Sequence, residues 1–330
     1  MKTRHLLAAV AVALVVPPLC RAAEQFAATA DLAEAAKDPD FAIQGEYVGA
    51  IPDGRVGVQI VALGEGEFDA VVSPGGLPGE GWNGEKPRES LRGRRADDGS
   101  VTFTKDEWTA VLRDGAITAT NSEDAGLVVT LAKVERESPT LGAAPPEGAV
   151  VLFDGSEGTA AKHWEKPVLE GGLLTQGAVT SGEFEDFSLH LEFLLPWMPK
   201  ARGQARGNSG LYLGGRYEVQ MLDSFGLAGL DNECGGIYKV AEPRENLCYP
   251  PLRWQTYDVE FTAARFDAAG EKTANAKVTV RHNGVVIHEN LELPGPTGGA
   301  RKKGEDGPGP IYLQNHGNPV RYRNIWLVKR

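Results

Sequence analysis

Two adjacent runs restrict this chain most: Gly207-Asn208-Ser209-Gly210-Leu211-Tyr212-Leu213 and Arg216-Tyr217-Glu218-Val219-Gln220-Met221-Leu222-Asp223. Polar and apolar residues alternate through both, the two-residue period of strands with one buried face. The oily side is enough to build a sheet. The opposite side carries Asn208, Tyr212, Glu218 and Gln220, so amide, phenol and carboxylate groups recur at every second position. Such a surface suits a polar, hydroxyl-rich ligand.

Composition narrows the partners. An apolar share of 42% over 330 residues supplies a real core, which argues against wholesale disorder. The formal net charge of -11 disfavours nucleic acid and anionic membrane, both of which need clustered Lys and Arg. With 41 Gly and 21 Pro, the chain fits a turn-rich β protein better than a helical one. No glycine-rich phosphate loop follows any strand-like run, so a nucleotide cofactor is not expected.

Residues 1–22 read as an export signal: Lys2 and Arg4, an apolar run over 6–16, then Cys20-Arg21-Ala22 as a cleavage site. The run is too short to span a bilayer, so no membrane association is expected after cleavage. Cleavage removes Lys2, Arg4 and Arg21 and takes the net charge from -11 to -14. The expected location is periplasmic or extracellular. Cys234 and Cys248 then remain, and in an exported chain they are candidates for one disulfide, with two buried free thiols as the alternative. Zinc-type Cys/His spacing is missing.

Strand-like runs and turn residues divide the chain. Residues 23–40 are Ala-rich and read as a helical or flexible segment. Residues 41–137 hold short strands separated by turns such as Asp97-Asp98-Gly99, expected to form a small antiparallel β barrel or sandwich. The glycine-rich stretch over 74–84, with Trp82, reads as a long loop. Residues 138–148 form a Pro-containing connector. About ten strands follow in 149–330, with Asn283-Gly284 as a two-residue hairpin turn. They predict an all-β fold whose C-terminal part is a concanavalin-like jelly-roll β sandwich.

The period of two extends the polar face. In Phe187-Ser188-Leu189-His190-Leu191-Glu192-Phe193 the odd positions pack inward, which turns His190 and Glu192 outward. Near the C-terminus Ile311 and Leu313 are inward, leaving Tyr312, Gln314 and His316 opposite. The expectation is one hollow lined by all of these groups. Lys is absent from these positions, unlike an ordinary solvated face.

Glu218-Val219-Gln220-Met221-Leu222-Asp223 has the spacing of a retaining-glycosidase strand, Glu-x-Asp-x-x-Glu, with its middle carboxylate replaced by an amide and its last shortened. That mechanism needs carboxyls roughly 5–5.5 Å apart. A second reading resembles a different chemistry. The stretch over 186–193, the 207–213 and 217–220 runs, Cys234-Gly235-Gly236-Ile237-Tyr238, Trp254-Gln255-Thr256-Tyr257-Asp258 and Gln314-Asn315-His316-Gly317-Asn318-Pro319-Val320 occur in order. Together they resemble the 3-keto-disaccharide hydrolase family, also described as 3-keto-glucoside 1,2-lyases and 3-keto-2-hydroxy-glucal hydratases, over residues 149–330.

The resemblance implies cleavage of 3-keto-glycosides. A C3 ketone acidifies the C2 hydrogen, a base removes it, the C1 group leaves by β-elimination, and hydration completes a net hydrolysis. On this reading Glu218 or His316 is the base. Asn208, Tyr212 and Gln220 hold the ring or stabilise the enolate, with Asp223, Tyr238 and Gln314 as further substrate-binding residues. Glu192 with His190 acts as leaving-group acid, or joins His316 in holding a divalent metal. A non-catalytic carbohydrate-binding module is the competing class, but it usually relies on exposed aromatics, and the face offers only Tyr212 and Tyr312.

Overall fold

In the computed structural model, residues 28–330 are described except 53, 83, 85 and 86. The export signal expected over 1–22 therefore lies outside the described residues. The chain is all-β in two bodies, a closed barrel followed by a β sandwich.

The barrel is an up-and-down meander of β1 (Gly45–Ile51), β2 (Gly54–Gly64), β3 (Glu67–Pro74), β4 (Glu89–Arg95), β5 (Val101–Lys105), β6 (Trp108–Arg113), β7 (Ala116–Asn121) and β8 (Val128–Val134). Pairing of β1 with β8 closes it and leaves no free edge. Between β6 and β7, Asp114 and Gly115 take φ values of 50° and 76°. Those left-handed values make the tight hairpin whose twist suits antiparallel strands. Two short helices, α1 (Leu32–Ala35) and α2 (Pro39–Ile43), plug one end, each capped by an aspartate side chain. Trp197 from the sandwich enters the same plug, fully buried, with its indole nitrogen 3.1 Å from Asp38 Oδ2 and its ring 5.1 Å from Phe41.

The sandwich strands that matter here are β9 (Val150–Phe153), β10 (Phe187–Leu194), β11 (Ser209–Leu213), β12 (Tyr217–Met221), β13 (Trp254–Thr262), β14 (Ala276–His282), β15 (Val285–Leu293), β16 (Tyr312–Leu313) and β17 (Arg321–Lys329). An 8-stranded sheet carries β17, β10, β13, β14 and β15 in sequence, with β9 on β17. A 5-stranded sheet ends in β16, β11 and β12. Leu189, Leu191 and Phe193 from the first sheet meet Leu211, Val219 and Met221 from the second in one core. The expected strand over 236–240 is replaced by isolated bridges of Ile237 to Val219 and Ala241.

The connector is docked, not free. Ser138 Oγ lies 2.6 Å from Thr256 Oγ1, Thr140 Oγ1 donates to Asp258 Oδ2 at 2.7 Å, and Gly142 N donates to Glu192 Oε1 at 2.6 Å. It lies as a strap across the outer face of the 8-stranded sheet.

Candidate active site

On the 5-stranded sheet, alternation does what the sequence requires. Leu211, Leu213, Tyr217, Val219 and Met221 fill the core. Asn208, Tyr212, Glu218 and Gln220 consequently project from the other face. Tyr212 sits directly opposite Glu218 in the β11–β12 register and opposite Tyr312 in β16. Gln314 joins the group because its backbone N donates to Gly210 O at 2.8 Å.

Glu218 is the chemical centre of this face. Its residue is 2% exposed. Tyr212 Oη donates to its Oε2 at 2.7 Å, and the Gly298 carbonyl is a second acceptor for that phenol at 2.6 Å. The orientation of the Gln220 amide that satisfies its neighbours places its nitrogen 2.7 Å from Ser209 O and 3.1 Å from Glu218 Oε1. Burial pushes the Glu218 carboxyl up to about 7, against the opposing pull of the Tyr212 hydrogen bond. Burial and the neighbouring carboxylate raise the Tyr212 phenol, so it stays a proton donor.

Gly210 makes that geometry possible. A Cβ built there would stand 2.1 Å from Glu218 Oε1, so any side chain would push the carboxylate off the strand. A mid-strand glycine is the sequence signal for such a close approach.

Two polar acceptors on the same face have no partner among the described residues. Asn208 Oδ1 and Gln314 Oε1 are buried and accept no hydrogen bond among the described residues. Each is a ready acceptor for a ligand hydroxyl. Asn208 is held from both ends: its amide nitrogen donates to Gln204 O at 2.7 Å, and its backbone N donates to Asn318 Oδ1 at 2.7 Å. Tyr238, Tyr312 and Gln314 are partly exposed and form the rim. Tyr238 N donates to Glu218 O at 3.2 Å. His316 is exposed on the loop between Gln314, tied to Gly210 in β11, and Asn318, tied to Asn208 just before it. Gln204, Asn318 and the Thr297–Gly299 corner were missed because they lie in loops without periodicity.

The structure does not bring all expected residues into one hollow. His190 and Glu192 belong to β10 in the other sheet, so their outward direction points to the opposite side of the sandwich. Both are fully buried under the strap. His190 Nδ1 lies 2.7 Å from Asp258 Oδ1 and its ring stacks on Trp326 at 5.1 Å. Glu192 accepts from Arg323 Nε at 2.6 Å and Asn324 Nδ2 at 2.8 Å as well as Gly142 N. Burial opposes ionisation of Glu192, but these donors and His190 outweigh it and bring its pKa down to about 2. Burial likewise opposes the charge on His190, but Asp258 and Glu192 raise its pKa. This network is a latch that holds the connector on the sandwich.

The metal set considered, Glu192, His190 and His316, is divided between the two sides. Among the described residues no group of three or more His, Cys, Asp or Glu side chains is placed to hold an ion. Asp223 is also committed elsewhere: its Oδ2 accepts from Arg206 Nε at 2.5 Å, and both side chains are buried. Cys234 and Cys248 are free, buried thiols, so the expected disulfide is not formed in this structure. Cys234 Sγ lies 3.3 Å from the Tyr257 hydroxyl, and Cys248 Sγ faces Leu222 O at 3.5 Å.

Comparison with known proteins agrees with the fold of the sandwich. Residues 148–328 match the model of the 3-keto-alpha-glucoside-1,2-lyase-like domain. A crystal structure from Parabacteroides distasonis, titled a "putative glycosyl hydrolase", is 34% identical over 56% of this chain and 85% of its own, with a TM-score of 0.51. A second structure of that title from the same organism is 17% identical over 56% of this chain and 94% of its own, with a TM-score of 0.42. No curated protein matches significantly. A carbohydrate-active domain is thus established over the sandwich, and the chain belongs to the 3-keto-alpha-glucoside-1,2-lyase-like family.

Proposed function

We propose that the sandwich cleaves 3-keto-glycosides by proton abstraction at C2 and β-elimination at C1, followed by hydration. The observation that carries this reading is the Glu218 carboxyl, buried, hydrogen-bonded by Tyr212 and pushed up to about 7 by burial. A base tuned close to the working pH is what C–H abstraction needs. Retaining hydrolysis needs a second carboxyl across the bond, and the one spaced for it in sequence, Asp223, is bound to Arg206.

In this scheme Glu218 takes the C2 proton, and the electron pair of the C2–H bond delocalises onto the C3 oxygen. Collapse of the enolate expels the C1 oxygen, which receives a proton from His316 at the rim. Water adding to the resulting enone restores a 3-keto sugar. Asn208 Oδ1 and Gln314 Oε1 accept from ring hydroxyls, and Tyr238 and Tyr312 flank the ring. Tyr212 and Gln220 hold the Glu218 carboxylate.

The test is turnover of p-nitrophenyl 3-keto-glucoside by the purified full chain, expected where the unoxidised p-nitrophenyl glucoside is inert. Cleavage of the unoxidised glucoside at an equal rate would contradict the proposal. Tight calorimetric binding of sugars with no consumption would favour a binding module instead. Export belongs to the same proposal, and N-terminal sequencing of secreted or periplasmic protein should begin at Ala23.

A further inference from the structure

The barrel core is only half built. At its plugged end Tyr47, Ile60, Ala62 and Phe68 pack against Trp197 and α1 with almost no exposure. At the other end Ile51, Val56, Val72, Leu91, Trp108 and Ala119 have inward strand parity, yet all remain partly exposed. They enclose an apolar cavity of about 460 Å³.

The cavity is a consequence of the barrel's own design. Its lining residues come from the ends of β1, β3, β5 and β7 and the starts of β2, β4, β6 and β8, which the meander brings to one rim. Gly93 is inward and lacks a side chain, and a Cβ there would stand 2.5 Å from the Phe103 ring. Phe103 therefore packs against Gly93 and lines the cavity. An eight-stranded barrel is wide enough either to be filled by side chains or to hold one small ligand. This one is not filled, and its volume falls in the range of about 300–1,000 Å³ typical of small-molecule sites.

The entrance is polar and biased in sign. Lys105 Nζ on β5 meets Glu89 Oε2 on the neighbouring β4 at 2.7 Å at the rim. Asp106 and Glu107 follow in the adjoining turn, and Glu123 and Asp124 sit in the β7–β8 connection at the same end. Lys105 is paired with Glu89, and Arg55 at the start of β2 with Glu80 at 3.7 Å, so among the described residues of the rim the remaining charges are mostly carboxylates. A fatty-acid carboxylate would meet repulsion there, whereas a neutral or cationic head would not.

We infer that the N-terminal barrel is a second binding site, independent of the sugar site, for a small amphiphile with an alkyl or aryl body and an uncharged or cationic head. The body lies between Val72, Leu91 and Ala119, and the head stays beside Glu89 and Glu107. Burial of the body is the driving force.

N-phenyl-1-naphthylamine, a neutral apolar fluorophore, tests this in the full chain. The expected result is saturable binding of one molecule per chain, with displacement by decanol and decyltrimethylammonium and at least tenfold weaker displacement by decanoate. Ala110→Trp, which fills the cavity, should weaken probe binding at least tenfold without altering turnover of the sugar substrate. Glu107→Lys, a surface change at the mouth, should bring decanoate to within about threefold of decanol. Absence of saturable binding, or undiminished binding in a folded Ala110→Trp variant, would overturn the site. Decanoate displacing as well as decanol from the unaltered protein would overturn the head-group assignment.

Discussion

Tyr212 Oη stands 2.7 Å from Glu218 Oε2 across a directly opposed pair of neighbouring strands, with the Gly298 carbonyl as the phenol's other acceptor. The phenol proton stabilises the charged carboxylate, and burial destabilises it; burial wins and the carboxyl titrates near pH 7. The kcat/KM profile should therefore have an acid limb near pH 7. Tyr212→Phe removes the opposing hydrogen bond, so the limb should move up by about one pH unit. At pH 7 the ionised fraction, and kcat/KM with it, should then fall about fivefold. An unmoved limb would show that Glu218 is not the titrating base.

A raised folded-state pKa has a cost in stability. The unfolded Glu218 carboxyl loses its proton around 4.5 and the folded one only at about 7. Between those values the unfolded state binds fewer protons, so stability falls as pH rises, by on the order of 3 kcal/mol in all. Glu218→Gln should lower turnover of a 3-keto-glycoside by about 10²–10⁴-fold. The same variant should unfold at higher denaturant than the parent at pH 8, and at a similar midpoint at pH 4. Denaturation at the two pH values checks the pair of effects.

Gly210→Ala tests the geometry without touching a titratable group. Its Cβ would stand 2.1 Å from Glu218 Oε1, so the carboxylate must move. A displacement of about 1 Å at a reacting group costs roughly 10²-fold in rate. The expected variant is folded by circular dichroism and about 10²-fold slower.

Sequence alternation was enough to identify the outward side of β10, β11, β12 and β16. It did not reveal which sheet β10 joins. His190 and Glu192 alternate with the same core-facing pattern as Tyr212 and Glu218, and the period is identical in both layers of a sandwich. The difference lies in partners: β10 pairs with β13 and β17, whose residues are far away in sequence. The strap was equally illegible, because Ser138, Thr140 and Gly142 look like linker residues until their hydrogen bonds to Thr256, Asp258 and Glu192 are seen. The Asn208, Tyr212, Glu218 and Gln220 set was legible because it sits on one hairpin, where register follows from adjacency.

The latch assignment makes its own prediction. Glu192→Gln leaves His190, Arg323 and Asn324 with a neutral partner in a buried site, so stability should drop by about 3 kcal/mol, while kcat/KM of the folded variant stays within about threefold. Linkage gives the pH window. The contribution from Glu192 is present above the ordinary carboxylate range and is lost as pH falls through about 2. That from His190, whose pKa is raised, is present below the ordinary imidazole value and is lost as pH climbs through the folded one. Urea unfolding from pH 2 to 9 in parent and variant measures both.

Hydrogen exchange at one carbon tests the central claim most directly. The full chain is incubated with a 3-keto-glucoside in D2O, and the released 3-keto sugar is examined by NMR before uncatalysed exchange contributes. The account predicts one deuterium at C2 per turnover, together with a primary isotope effect for substrate deuterated at C2. Loss of both turnover and deuterium incorporation in Glu218→Gln would complete the case. Cleavage that leaves the C2 hydrogen in place would contradict it.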